Sequence, residues 1–249
     1  MRSIVGPERT SPFYWNEEVR PGLRVAFTSV EAGNLALHVG DDPAGVRNNR
    51  RLLEAAMGIA PGSLRFMSQT HSNRVATVGD GAADAPDADG LVSRSGHEPL
   101  AVLVADCVPI VLADASVDDG GTGATAVVHA GRAGVGNGVI AQAIHVLRAG
   151  GAQDLSGWIG PSVCGSCYEV PEAMMLEMAE GIPAAASRTT TGTAALNLPA
   201  AVRCQLEEGG VKVGEVRGVD ALCTVENSAL YSHRRAPGAG RIAGLVWRT

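Results

Sequence analysis

Short apolar stretches recur along the chain between polar and glycine-rich turns. The runs over residues 100–105, 109–113 and 124–128 are almost continuously apolar, which predicts strands that are covered on both faces. Shorter or alternating stretches predict further strands over residues 24–29, 34–40, 64–67, 74–78, 90–93, 158–161, 211–219 and 241–247.

Helical spacing of apolar residues appears between these strands. Asp42 can cap a helix that starts at Pro43, and Gly58 supplies its stop. Further helices are predicted from residue 139 to 149, over 171–180 and over 199–208, whereas 79–89 and 181–195 are predicted to be loops. The interleaved order predicts an α/β or mixed α+β class. We expect a lead-in over residues 1–22 and a single domain over residues 23–249.

Composition and charge indicate which kinds of partner and which cellular compartment to expect. The net charge is −6, with 20 Lys and Arg against 26 Asp and Glu, which argues against nucleic acid as a partner. Residues 1–20 lack the apolar core of a secretory signal, and no apolar run approaches the roughly 18 residues of a membrane span. The five cysteines are irregularly spaced, which is typical of a reducing compartment. We therefore expect a cytoplasmic protein without a membrane partner.

Three predicted strands lead into residues of types that commonly bind metals in proteins. His71 follows one of them, Cys107 the second, and His129 the third, just before a glycine-rich loop. A catalytic zinc uses three protein ligands and leaves a fourth position open, so we predict that the strand ends converge on one metal ion. Spacing alone leaves two alternatives open. Cys107 and His129 could form a thiol–imidazole pair with a nucleophilic thiolate, or the three residues could be ordinary packed side chains.

Other motifs carry weaker signals. Cys164 and Cys167 have the spacing of half a structural zinc site or of a redox pair, but no second C-x2-C exists, which favours ordinary turn cysteines. The glycine-rich loop matches neither a P-loop nor G-x-G-x-x-G, although its backbone amides and Arg132 could hold an anion. Arg234 and Arg235 are either a solvated basic patch or an anion clamp.

A series of short motifs follows the same order and approximate spacing as a known family. They are Asn34-Leu-Ala-Leu-His38-Val-Gly-Asp-Asp-Pro43, Gln69-Thr-His71, Ala88-Asp-Gly90, Ala105-Asp-Cys107-Val-Pro109, His129-Ala-Gly131, Ile159-Gly-Pro161, Cys167-Tyr-Glu-Val170, Cys223-Thr224, Ser232-His-Arg-Arg235 and Gly240-Arg241. From about residue 24 to its end, the chain resembles the YfiH/YlmD family. Members of that family are labelled multicopper polyphenol oxidoreductase (laccase) and also purine nucleoside phosphorylase.

The resemblance implies a sandwich of mixed β-sheets flanked by helices. It also implies a zinc held by His71, Cys107 and His129. The implied activities are phosphorolysis of adenosine, inosine, guanosine and methylthioadenosine, and deamination of adenosine. The laccase label implies copper, but we favour one Zn²⁺, since three good ligands are evident and a multicopper cluster needs many more than the six histidines present.

From these observations we assign Cys107, His129 and Asp106 to the reaction, with Asp89 as a second candidate for proton transfer. The expected substrate-binding residues are Asn34, Gln69, Arg132, Arg234 and Arg235. The expected partners are purine nucleosides and phosphate, with the chain a monomer or weak homodimer. Alternatives are a cysteine hydrolase, a copper-dependent polyphenol oxidase and a non-catalytic interaction protein stabilised by a metal.

Overall fold

The computed structural model of the protein describes residues 11–79, 85–219 and 221–249. The strands are β1 (Phe13–Arg20), β2 (Leu23–Thr28), β3 (Val75–Val78), β4 (Gly90–Ser93), β5 (Leu100–Val104), β6 (Val108–Ala113), β7 (Thr125–Ala130), β8 (Ser156–Ile159), β9 (Ala186–Arg188), β10 (Ala194–Leu196), β11 (Lys212–Gly214) and β12 (Ile242–Arg248). The helices are α1 (Pro43–Met57), α2 (Arg132–Gly136), α3 (Val139–Ala149), α4 (Glu172–Gly181) and α5 (Leu198–Glu208). Within these ranges no helix combines the length and the apolar character needed to cross a membrane.

Two larger sheets form the centre of the fold. One has the strand order β1-β2-β12-β5 and is antiparallel throughout. The other has the order β11-β8-β6-β7-β4-β3 and is mixed, with parallel pairs at its two ends and antiparallel pairs between them. Strands β9 and β10 form a separate antiparallel hairpin.

The apolar residues divide into three cores that separate four layers. Side chains such as Phe27 and Val111 fill the space between the two larger sheets. Residues of α3 and α5, with Ile140 and Leu206 among them, pack on the outer face of the mixed sheet. Leu53 of α1 packs with Leu103 on the outer face of the antiparallel sheet. The arrangement is a two-sheet sandwich flanked by helices, which confirms the expected fold class.

The continuously apolar runs are buried strands, as their pattern predicts. Every residue of β5, β6 and β7 is buried. Successive side chains of a strand point to opposite faces, so Leu100 and Val102 enter the core between the sheets while Ala101 and Leu103 enter the core beneath α1. Both faces of these strands are therefore covered.

The first helix begins and ends where the sequence predicts. The Asp42 carboxylate accepts from the backbone N–H groups of Ala44 and Gly45, and Pro43 occupies the first turn. Gly58 ends the helix with φ 72°, a left-handed conformation that glycine adopts without strain.

The expected strand over residues 34–40 is wrong. The Asn34 side chain accepts from the Ala36 backbone N–H at 2.9 Å and donates to the Ala36 carbonyl at 2.9 Å and to Asp41 at 2.7 Å. Local bonds of this kind replace the ladder of a strand and fold the segment into a turn. The side-chain oxygen of Asn34 also accepts from the Arg241 backbone N–H at 3.0 Å, so the turn is fastened to the residue before β12.

Several other boundaries differ from the prediction because pairing partners decide them. The predicted strand over 64–67 forms only an isolated bridge at Arg65. The predicted loop over 181–195 contains β9 and the first two residues of β10. Of the predicted strand over 211–219, only Lys212–Gly214 forms a strand. The expected lead-in over 1–22 contains β1, which pairs with β2; residues 1–10 lie outside the described residues, as do 80–84 of the expected loop 79–89.

The glycine-rich segment after β7 is helical rather than a loop. Gly131 precedes α2, and its carbonyl accepts from the Val135 N–H at 2.9 Å. Gly138, with φ 80°, then joins α2 to α3. The glycines therefore allow two short helices to follow β7 closely.

The buried Asp114 fastens two loops beyond β6, and its loss is expected to destabilise the fold. Its carboxylate accepts four bonds from Thr122, Gln153 and Asp154. Burial alone would raise the pKa of Asp114, but these donors lower it below its ordinary value. We expect Asp114→Asn to lower the free energy of unfolding by about 2 kcal/mol at pH 7, since the amide cannot accept all four bonds.

The pH dependence of this loss follows from the lowered pKa. A depressed carboxyl pKa contributes stability above the unfolded value of about 4, and that contribution disappears as the pH falls through the folded value. Urea unfolding at pH 7 and below pH 4 should therefore show the difference between wild type and Asp114→Asn shrinking on acidification. The exposed Asp118 in the same loop provides the control Asp118→Asn, which should change little. A difference that stays constant with pH would contradict this account.

Candidate functional site

Three side chains from separate elements meet at one edge of the sandwich. His71 lies in the segment before β3, Cys107 in the turn between β5 and β6, and His129 near the end of β7. Their ligand atoms all lie within 4.8 Å of one another, and the Cys107 Sγ is 3.7 Å from the His71 Nε2. The imidazole rings meet edge to face, with centroids 4.7 Å apart. The predicted convergence is present, and the group could hold a metal ion.

Asp89 lies behind the two histidines and orders both of them. It is fully buried, and its carboxylate is 2.7 Å from the His129 Nδ1. The same carboxylate accepts from the backbone N–H groups of Thr70 at 3.3 Å, His71 at 3.0 Å and Ser72 at 2.6 Å, and from the Ser72 hydroxyl at 2.7 Å. A carboxylate that holds one ring nitrogen leaves the other available to a metal.

The backbone at His71 is unusual, and Asp89 explains how it is maintained. His71 has φ 60°, a left-handed conformation that non-glycine residues rarely adopt. The three consecutive N–H groups that point at the Asp89 carboxylate hold this turn in place. Strain of this kind persists where the surrounding structure over-determines it, which is common at functional sites.

Asp106 holds the turn that presents Cys107. It has φ 93°, and its carboxylate accepts from the Thr224 hydroxyl at 2.6 Å and from the Arg234 backbone N–H at 2.7 Å. Its backbone carbonyl accepts from the Val163 N–H at 3.0 Å. Asp106 thus joins the Cys107 turn to two other segments of the chain.

The charges of the three side chains depend on one another. Burial alone would raise the pKa of Cys107, but hydrogen bonding to His129 and His71 lowers it to about 6. Burial would lower the pKa of His129, yet Asp89 and Cys107 together raise it to about 9. The pKa of Asp89 is lowered by His129 and Ser72 against the effect of its burial. The arrangement favours a thiolate at Cys107, the form of cysteine that binds metals.

Gly131 leaves room for this arrangement. A Cβ at position 131 would lie 2.6 Å from the His71 Cδ2 and 3.1 Å from the Cys107 Sγ. Any side chain there would displace the histidine ring or the thiol. The glycine of the His-Ala-Gly motif is therefore required by close packing against the triad.

A cavity of about 610 Å³ opens beside the triad. Its lining combines the triad with polar, aromatic and cationic side chains, which include His38, Gln69, Asp106, Tyr168, His233, Arg234 and Arg241. The Arg234 guanidinium stacks on the Tyr168 ring at 4.8 Å from its centroid. Burial, with Arg241 and Arg50 nearby, lowers the pKa of His38. The volume is that of a small-molecule site.

Of the expected substrate-binding residues, only Gln69 and Arg234 line this cavity. The Gln69 amide pairs with the Leu103 backbone, donating at 2.7 Å and accepting at 2.9 Å, as a strand residue would. The Arg235 guanidinium donates to backbone carbonyls that include that of Asn227 at 3.0 Å, so it holds the chain together locally. Arg132 lines a separate neighbouring cavity of about 290 Å³. Asn34 is buried in the turn already described.

Four polar or aromatic lining residues were not among the expected site residues: His38, Tyr168, His233 and Arg241. Each lies within one of the short motifs that carry the family resemblance, so the signal was present in the sequence. These motifs are far apart along the chain, and the sequence alone does not show that the fold brings them to one cavity.

Comparison with known proteins gives consistent matches. The family described as multi-copper polyphenol oxidoreductase laccase matches residues 24–249. A Mycobacterium bovis protein named purine nucleoside phosphorylase is 44% identical over 217 residues, covering 86% of this chain and 84% of its own. A Corynebacterium glutamicum protein of the same name is 40% identical over 219 residues, covering 86% of each chain. The crystal structure of YlmD from Geobacillus stearothermophilus superimposes with a TM-score of 0.78 at 26% identity, covering 95% of this chain and 99% of that one.

Proposed function

The chain belongs to the multi-copper polyphenol oxidoreductase laccase family, and we propose that it is a zinc-dependent purine nucleoside phosphorylase with adenosine deaminase side activity. The proposed substrates are adenosine, inosine, guanosine and methylthioadenosine, together with inorganic phosphate. The observation that supports this most is the 40–44% identity to proteins named purine nucleoside phosphorylase over most of their lengths. The cavity beside the triad adds a chemical argument, since cationic and aromatic side chains suit an anion and a planar base.

The donor set of the triad fits zinc. A tetrahedral zinc with one sulfur and one nitrogen ligand separates those two atoms by about 3.6 Å, close to the 3.7 Å between the Cys107 Sγ and the His71 Nε2. Two imidazoles, one thiolate and an open fourth position are typical of catalytic zinc, whereas a multicopper cluster would need many more ligands. Zinc bound there would supply a positive charge that stabilises negative charge developing on the substrate.

The protein's own groups would then bind and orient the substrates. In phosphorolysis a phosphate oxygen forms a bond to the anomeric carbon of the sugar while the bond from that carbon to the purine nitrogen breaks. The proton that the hydrogen phosphate carries is taken up by the purine as it leaves, so atoms and charge balance. We assign the phosphate to Arg234 and Arg241, whose guanidiniums line the cavity and bind oxyanions by hydrogen bonds and charge. We also assign Asp106 to the reaction, because it lines the cavity and its carboxylate, bonded to the Arg234 backbone, is fixed in position there.

The direct test combines elemental analysis with an assay of base release. The purified protein is expected to contain zinc and to release purine base from adenosine and inosine only when phosphate is present. Release of ammonia from adenosine tests the deaminase side activity. Base release that is independent of phosphate, or none from any of the four nucleosides by the zinc-loaded protein, would overturn the proposal.

Arg234→Ala is expected to weaken phosphate binding. Its guanidinium faces the cavity and stacks on Tyr168, so its loss removes one cation from the phosphate subsite. We expect the KM for phosphate to rise about tenfold, equivalent to about 1.4 kcal/mol, with a smaller change in kcat. The matched control is Arg203→Ala, because Arg203 is exposed on α5, pairs with Glu207 and does not line this cavity, so its loss should leave the KM for phosphate nearly unchanged. An equal effect of both variants would contradict the assignment.

A cysteine hydrolase that uses Cys107 and His129 is the second candidate, and the hydrogen bonding to His129 that lowers the pKa of Cys107 favours it. The same atoms would then act as a thiolate–imidazole pair without a metal. Removing the metal with a chelator separates the two functions. Activity that survives chelation but is lost on thiol alkylation would favour the hydrolase, and the reverse result favours the phosphorylase.

A further inference from the structure

Two turns outside the triad present metal-binding side chains at the same spacing. Cys164 and Cys167 lie in one turn, and Cys223 and Glu226 lie in the other. In the first turn the Cys164 carbonyl accepts from the N–H groups of Cys167 and Tyr168, both at 3.1 Å. In the second, the Cys223 carbonyl accepts from the Asn227 N–H at 3.0 Å. Each turn therefore directs two side chains separated by two residues towards one point.

A backbone bridge sets the two turns side by side. The Ser162 N–H donates to the Leu222 carbonyl at 3.0 Å, and the Thr224 N–H donates to the Ser162 carbonyl at 3.1 Å. The Cys164 N–H also donates to the Cys223 Sγ at 3.4 Å. Burial and the neighbouring thiol of Cys164 raise the pKa of Cys223; a bound divalent cation would supply the positive charge that keeps the thiols ionised.

The four ligand atoms lie close enough together to surround one ion, and one of their separations is that of a tetrahedral zinc site. All of them are within 4.8 Å of one another, and the Cys167 Sγ is 3.5 Å from the Glu226 Oε1. Around a tetrahedral zinc, a thiolate sulfur and a carboxylate oxygen are about 3.5 Å apart, and two sulfurs are about 3.8 Å apart. The two turns together thus provide three sulfurs and one oxygen around a common centre.

We infer that Cys164, Cys167, Cys223 and Glu226 form a second, structural zinc site. Three thiolates with one carboxylate close the coordination shell, so this site has no open position for substrate and is distinct in chemistry from the triad. A disulfide would use only two of the three thiols and would give Glu226 no role. Thiolate-rich sites select zinc over magnesium or calcium.

The position of this site indicates what it supports. Val163, next to Cys164, donates its N–H to the Asp106 carbonyl, and Thr224, next to Cys223, donates its hydroxyl to the Asp106 carboxylate. Asp106 in turn precedes Cys107 of the triad. Both turns of the second site therefore hold the segment that presents Cys107, and the bound zinc would fix their separation.

The test is a count of metal ions in variants of the full chain. After loading with zinc and removal of excess metal, the wild type is expected to retain two equivalents, and Cys223→Ser is expected to retain one. The matched control is Cys204→Ser, because Cys204 lies on α5 outside both groups and its variant should retain two. If Cys223→Ser does not fold, Glu226→Ala serves instead, since Glu226 is exposed. In Glu226→Ala, the zinc affinity of the second site should fall by more than about tenfold.

Cobalt substitution identifies which site is lost. The thiolate-to-cobalt absorption should fall to about one quarter in Cys223→Ser, since the triad has one thiolate and the second site has three. The same zinc content in Cys223→Ser as in the wild type, an unchanged absorption in Cys223→Ser, or a disulfide among these cysteines in protein purified from a reducing cytoplasm would overturn the inference. None of these readouts depends on nucleoside phosphorolysis, so the two proposals can fail separately.

Discussion

Cys107→Ala is expected to abolish phosphate-dependent base release and to remove the metal held by the triad. The thiolate is the only anionic ligand of that group, and the two imidazoles that remain cannot match its attraction for a divalent cation. Under the proposed mechanism, negative charge that develops on the substrate would then lose the positive charge of the zinc. We expect kcat/KM to fall by about a thousandfold or more.

The measurement is steady-state base release beside the zinc content of the same sample. Cys204→Ser is the matched control, since it removes a thiol elsewhere in the chain and should change neither quantity. Circular dichroism should show that Cys107→Ala retains its fold, because the change removes only one sulfur from a partly buried side chain at the margin of the core. Full activity in a metal-free Cys107→Ala protein would rule out a zinc-dependent mechanism.

Asp89→Asn should lower both the metal affinity of the triad and the stability of the fold. The carboxylate accepts from Thr70, His71, Ser72 and His129, and an asparagine amide would turn an N–H₂ group towards some of these donors. Loss of the partner of a metal-ligating histidine typically lowers metal affinity 10–100-fold. Because Asp89 is fully buried, we also expect the free energy of unfolding to fall by about 3 kcal/mol.

Asp87→Asn provides the control for this prediction. Asp87 is two residues away and bonded to Thr70 and Arg74, but it is exposed. Its variant should bind zinc as the wild type does and lose little stability, since exposed ion pairs contribute about 1 kcal/mol or less. Zinc titration against a competing chelator and urea unfolding measure the two effects. An Asp89→Asn protein that binds zinc as tightly as the wild type would show that Asp89 does not order the histidines.

The sequence predicts the elements whose cause is local. The run that forms β6 is apolar at every position, and the residues that cap α1 act within the first and last turns of the helix itself. The convergence of His71, Cys107 and His129 was also predicted, because each follows a stretch with the pattern of a buried segment. Local pattern is sufficient for β6 and α1, whereas the convergence of the three side chains was also implied by the family resemblance.

The sequence does not reveal features that depend on distant partners. Asp89 was noted only as a candidate for proton transfer, yet its role follows from five donors supplied by residues 70–72 and 129. Arg235 and Gln69 have the chemistry of substrate ligands, but backbone carbonyls and amides elsewhere in the fold occupy them. In the group of Cys164, Cys167, Cys223 and Glu226, the fourth side chain is a glutamate and not a cysteine. A search of the sequence for a second C-x2-C motif therefore misses this group.

The strand order of the antiparallel sheet has a consequence for synthesis on the ribosome. Strand β12, at residues 242–248, lies between β2 and β5, so it joins strands that are made far earlier. Until it emerges, the nascent chain carries two apolar strand edges without their shared neighbour, and contacts over such sequence distances form slowly. Unpaired apolar strand edges of this kind favour aggregation while the chain is being made.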